Sequence, residues 1–239
     1  MKNIMWIFLF FVTLPVFADS YNLGKNGHVR PDMFEEPEER ILFILDFSNS
    51  MSEHLHGVPK VDLMMETMRN ILPKINKNAS IGMRVYGHRM GITPFEACKA
   101  SALITPIAPA NSINIQNSLT KIRPRGMTPI TYSLKQAVKY DFLGFPGKKH
   151  IILLSDGGEN CDESPCKYAM ELIKTRSDIT IDVIAFNLNN QEDLEQLECA
   201  ALVTKGKFHT ANTAAELANS LNNTLNIKKD VEAKIIFNP

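Results

Sequence analysis

Two apolar stretches in this sequence end in the same chemistry. Ile41 to Leu45 (ILFIL) runs into Asp46, with Ser48 and Ser50 at alternate positions beyond it, and His150 to Leu154 (HIILL) runs into Ser155-Asp156-Gly157. Between them, in RPRGMTPI, Thr128 follows Gly126 and precedes Pro129. Two carboxylates and three hydroxyls form an all-oxygen donor set, which suits a hard divalent cation. Mg²⁺ fits best because it keeps an octahedral shell and retains waters; Mn²⁺ and Ca²⁺ are the alternatives. Two formal charges from the protein would balance the ion and leave a position open to an external carboxylate. Each residue alone has a plainer explanation. Asp46, Ser48 and Ser50 could bond their own turn, Asp156 could be an ordinary turn acid before Gly157-Gly158, and Thr128 could cap a helix. Their joint placement at strand ends is what points to a site.

The elements that must carry them alternate. After the strand at 41–45, Lys60 to Lys77 has apolar residues at Val61, Met64, Met65, Met68 and Leu72, a helical spacing that Pro73 should end or kink. Ser80–Tyr86 and Ser101–Ile107 read as strands, Ile113–Ile122 as a short helix, and Pro129 opens a helix to about Tyr140. The strand at 150–154 follows. Then come helix Pro165–Arg176, strand Thr180–Phe186, helix Glu192–Val203, strand Lys207–His209 and helix Thr213–Ile227, with Glu232–Phe237 as an edge strand or tail. Strands apolar on both faces and separated by helices imply an α/β fold: a doubly wound, mostly parallel six-stranded sheet with helices on both faces. The two consecutive strands at 80–107 imply that one of them is an antiparallel edge. Ligands of such sheets bind at the carboxyl ends of the strands, where Asp46 and Asp156 fall.

At these residues the sequence resembles a known family. Asp46-Phe47-Ser48-Asn49-Ser50, then Gly126-Met127-Thr128-Pro129, then Ser155-Asp156-Gly157 are similar, in order and strand context, to the metal-ion-dependent adhesion site of von Willebrand factor A domains. The likeness covers about residues 38–228. It implies that Ser48, Ser50 and Thr128 coordinate a metal directly or through water, and that Asp46 and Asp156 act through waters. Tyr86-Gly87-His88-Arg89, Arg123 to Pro129, Ser155 to Cys166 and Cys199 resemble the exported bacterial branch. His88 and Arg89 are expected near the same rim, where they could help hold a carboxylate or stand solvated.

Rival chemistries lack their residues. A haloacid-dehalogenase aspartate needs a second acid two positions on, where Ser48 stands, and no GxSxG elbow or P-loop lysine is present. A binding module is therefore the first reading; the alternatives are a structural or assembly role that uses the helical faces and leaves the metal site idle and, ranking below it, a metal-assisted hydrolase. His54 and His56 are spaced like a zinc pair without a third ligand, and the methionines at 64, 65 and 68 read as core.

Lys2, the apolar Ile4–Val16 and the small residues up to Ala18 read as a signal peptide over 1–18, followed by a loosely packed lead-in over 19–38, the domain over 39–229 and a tail over 230–239. The full chain has 26 basic and 26 acidic residues, and removing 1–18 removes only Lys2 among them, so nothing electrostatic points to nucleic acid or an anionic membrane. Beyond the signal no second apolar span is evident. Cys98, Cys161, Cys166 and Cys199 are most simply two disulfides in an exported protein, a four-Cys zinc site ranking below. Cys98–Cys161 with Cys166–Cys199 is the first arrangement, 98–166 with 161–199 the second, and a local 161–166 loop the simplest alternative. The expectation is an exported, periplasmic or secreted domain binding a protein partner that presents an acidic side chain.

Overall fold

The computed structural model describes residues 39–227; the predicted signal peptide, lead-in and tail lie outside them. Seven residues of β1 (Arg40–Asp46) are all buried, because helices cover both faces of the strand. Its alternate side chains divide two cores. Ile41, Phe43 and Leu45 point to one, with Met64 and Met68 of α1 (Lys60–Ile71) and Leu217 and Leu221 of α7 (Ala214–Thr224). Leu42 and Ile44 point to the other, with Leu134 of α4 (Ile130–Gln136), Leu172 of α5 (Pro165–Leu172) and Leu197 of α6 (Gln191–Val203).

β1 pairs in parallel with β4 (Ser80–Tyr86) on one side and β6 (Lys149–Ser155) on the other. The sheet continues in parallel through β7 (Ile179–Phe186) to β8 (Phe208–Ala211). On the far side β5 (Ser101–Pro109) runs antiparallel to β4, giving the order β5-β4-β1-β6-β7-β8. This is the six-stranded, doubly wound α/β sheet expected, with its antiparallel edge. Asp46 and Ser155 end the two central strands at the same rim.

Several boundaries differ from the expectation. Past Ile71 the chain before Lys77 forms only a 3₁₀ turn, Leu72–Lys74, because Pro73 cannot continue the hydrogen-bond ladder. The helix expected to reach Ile122 is α3 (Ser112–Leu119), tightening beyond Leu119 into i→i+3 bonds. The stretch expected to be helical to Tyr140 widens into a π turn at Ala137–Asp141, where buried Asp141 accepts from Nε and Nη2 of Arg84 at 2.6 and 2.7 Å. The last strand starts at Phe208 rather than Lys207, whose N–H goes to the Asp182 carboxylate at 2.8 Å. Three elements were not anticipated: a 3₁₀ turn at Asn49–Ser52 in the serine loop, a small hairpin of β2 (His54–Leu55) and β3 (Val58–Pro59), and the short helix α2 (Pro94–Ala97).

A candidate metal site at the carboxyl ends of the strands

Asp46 is fully buried where β1 ends, and its two oxygens are already taken. The Ser48 N–H donates to Oδ1 at 2.7 Å, turning the chain back so that the side chains of 48 and 50 share a side. Ser155 Oγ donates to Oδ2 at 2.6 Å, and Tyr86 Oη donates to Ser155 Oγ at 2.9 Å, so β1, β4 and β6 all fix this carboxylate. The hydroxyls of Ser48 and Ser50 lie 3.0 Å apart, and Ser50 Oγ donates to Asp156 Oδ1 at 2.7 Å. Two of the three predicted segments thus meet in one hydrogen-bonded cluster.

The third segment is zipped beside them. Arg125 N–H donates to Phe47 O at 3.1 Å, Gly126 N–H to Gly87 O at 2.8 Å, and Asn49 N–H to Gly126 O at 3.0 Å. Ser48 and Gly126 form a parallel bridge. These contacts fix Gly126, two positions before the buried Thr128, against the serine loop. Close approach explains two glycines. A Cβ on Gly87, whose φ is +68°, would stand 2.5 Å from Ser48 N, and one on Gly126 would stand 2.5 Å from Arg89 O.

Residues the sequence reading passed over hold this loop. Asn160 Oδ1 accepts the Thr128 N–H and Glu159 Oε2 accepts the Thr131 N–H, both at 2.7 Å, so the GGEN stretch after Asp156 caps the entry to α4. Burial pushes the Glu159 carboxyl up. Cys161 follows directly and is joined to Cys98, beyond α2, while Cys166 is joined to Cys199 between α5 and α6. Ser155 and Tyr86 were within the quoted motifs but not singled out; a hydroxyl before the acid and a Tyr ending β4 were the available signals.

The electrostatics differ from the sequence expectation in one respect. Burial, then repulsion from Asp156, raises the Asp46 carboxyl to about 6, above its ordinary 3.8. Asp156, however, is not alone: Lys60 Nζ lies 2.9 Å from its Oδ2 and 2.9 Å from Glu53 Oε2. One of the two buried carboxylates, Asp156, is therefore paired with a buried ammonium, and the buried set of Asp46, Asp156 and Lys60 carries one negative charge rather than the two expected. His54 and His56 are exposed and join no cluster. His88 is half-buried; burial, then Arg89, lowers its pKa, and Arg89 Nη2 reaches Lys99 O at 3.5 Å.

The donor chemistry fits a hard divalent cation. The converging groups are hydroxyl and carboxylate oxygens, and two mutually repelling buried acids gain from a nearby positive charge. Among the described residues no three His, Cys, Asp or Glu side chains converge, so such an ion would depend on the hydroxyls.

Comparison with known proteins finds relatives of this chain. YwmC and YwmD, both uncharacterized proteins of Bacillus subtilis (strain 168), are similar to this chain. YwmC is 29% identical over 181 residues, 74% of this chain and 78% of its own length. YwmD is 25% identical over 187 residues, 76% and 83%. Proximal thread matrix protein 1 from the mussel byssus, solved with a zinc-occupied MIDAS motif, superposes with a TM-score of 0.59 at 20% identity, over 77% of this chain. This chain spans 44% of the length of that protein, and the likeness is one of fold. The model of the von Willebrand factor type A domain matches residues 41–224, and the chain belongs to that family.

Proposed function

We propose that this is an exported domain that binds a protein partner through a divalent cation, Mg²⁺ first, completed by an acidic side chain of that partner. Ser48, Ser50 and Thr128 would hold the ion, with Asp46 and Asp156 behind them. The observation carrying the reading is the convergence of the serine loop after β1, the Gly126–Thr128 loop and the acid after β6 at one rim. When bound, the cation would supply an electrophilic position for a carboxylate; the chain's residues hold that position in place. In a partly desolvated contact a charge-assisted bond of this kind outweighs a surface ion pair.

The rim suggests what accompanies the acid. The excursion from β4 to β5 abuts Gly126 through Arg89 O and exposes Met90 (74%), Ile92 (96%) and Phe95 (68%). It is held by a capping box between Thr93 and Glu96 and by the Cys98–Cys161 link. An ordered loop that displays large apolar side chains fits contact with a partner whose acid is flanked by apolar residues. Export is supported by four cysteines paired in two disulfides. A pull-down from an exported fraction should recover the partner with Mg²⁺, lose it with EDTA and regain it on adding Mg²⁺ or Mn²⁺. Recovery unaffected by chelation would reject metal-dependent binding, and metal-dependent turnover of ester or phosphate substrates would replace it with an enzyme.

A further inference from the structure

Lys60 occupies a costly position. It is the first residue of α1, where the helix backbone presents its positive end, and it is 5% exposed. A cation is disfavoured there on both counts. The chain is shaped to put it there. His56 and Gly57, with φ of 52° and 85°, form a two-residue turn that folds β3 back on β2. The Lys60 N–H then closes the loop on Glu53 O at 2.9 Å. The result is an ammonium 2.9 Å from Asp156 Oδ2, on the opposite oxygen from the one that meets Ser50. Glu53, its other partner, is 67% exposed and screened by water.

We propose that Lys60 is a resident cation that sets the charge of the metal site, lowering its affinity for a divalent ion and raising the pull of the loaded site on an anionic partner. This rests on the metal-binding reading above. Asp46, Asp156 and Lys60 together carry one negative charge. With a divalent ion the buried set becomes singly positive, whereas without Lys60 it would be neutral. The site is thus tuned to hold its ion loosely until a carboxylate arrives, so metal and partner bind cooperatively. A lysine that merely tied the hairpin down would act in the other direction: removing it would loosen Asp156 and weaken metal binding.

The test is Mn²⁺ affinity by calorimetry and by loss of the free-ion electron-spin resonance signal. It compares wild type with Lys60→Met, Lys60→Gln, Lys60→Arg and, as a control, Ser48→Ala. Lys60→Met should bind Mn²⁺ about tenfold or more tightly than wild type, because one unit of like charge beside the ion is gone. Lys60→Gln should move the same way while keeping an N–H donor for Asp156, and so reads the charge alone if the Met variant does not fold. Lys60→Arg, with its charge kept, should stay within about threefold of wild type. Added acetate should tighten Mn²⁺ binding more in wild type than in Lys60→Gln. Unchanged or weaker Mn²⁺ binding in Lys60→Gln, with wild type binding and Ser48→Ala impaired, overturns the role of Lys60 and leaves the metal site standing. No Mn²⁺ binding by wild type overturns both.

Discussion

Replacing His150 by Gln should change how the stability of the protein depends on pH. His150 stands in β6 near its amino end, away from Asp156, with Nε2 2.9 Å from Asp182 Oδ2 and Nδ1 3.3 Å from Glu39 Oε1. Its side chain is 14% exposed and that of Asp182 4%. Burial alone would lower its pKa, but the bonds and charges of Asp182 and Glu39 outweigh burial and raise it from 6.5 to about 9. The folded state therefore binds this proton more tightly than the unfolded chain does. Its contribution is fully present below about pH 6.5 and is lost as pH rises through about 9. A shift of that size corresponds to about 3 kcal/mol, reduced to about 2 kcal/mol because half-exposed Glu39 is screened. Urea unfolding of wild type and His150→Gln, both in EDTA, at steps from pH 6 to 9.5 measures it. Wild type should lose about 2 kcal/mol more than the variant across that range, and Mn²⁺ affinity at pH 7 should be the same in both. Parallel stability profiles would refute the ion-pair reasoning.

Other perturbations separate site from scaffold. Gly87→Ala should cost about 2 kcal/mol or more and weaken Mn²⁺ binding, since its Cβ would strike Ser48 N; Gly144→Ala, at φ +81° with open space, should cost about 1 kcal/mol and leave binding unchanged, both read by urea melts and calorimetry. Serine at both Cys98 and Cys161 releases a link across 63 positions and should lower stability by about 2–4 kcal/mol. It should also weaken metal binding, because Cys161 adjoins the Asn160 that holds Thr128, whereas the Cys166 and Cys199 pair of substitutions should lower stability alone.

The parts of the structure legible in the sequence are those set by local pattern. Five consecutive apolar residues before Asp46 and four before Ser155 mark central strands covered on both faces, and the order of three short oxygen-bearing motifs marks the rim. What escaped depends on contacts between distant residues. Lys60 opens an amphipathic helix and reads as a solvated first-turn lysine; only its pairing with Asp156, 96 positions away, gives it a role. Arg84 and Asp141 are likewise unremarkable apart, yet their buried pair accompanies the π turn that ends α4. The two strands of the β2–β3 hairpin are two residues each, too short for any periodicity. Glu159 and Asn160 carry no motif of their own in the sequence, while their work is to hold the neighbouring backbone.

The central claim is that oxygens from three chain segments hold one divalent ion. Titrating Mn²⁺ into wild type and into Ser48→Ala, Thr128→Ala and Asp156→Asn, one substitution per segment, tests it most directly. One equivalent should bind to wild type, and each single substitution should weaken that binding about tenfold or more, at about 1.4 kcal/mol per tenfold. Binding that survives unchanged in Thr128→Ala or Asp156→Asn, or no binding to wild type, would contradict the account.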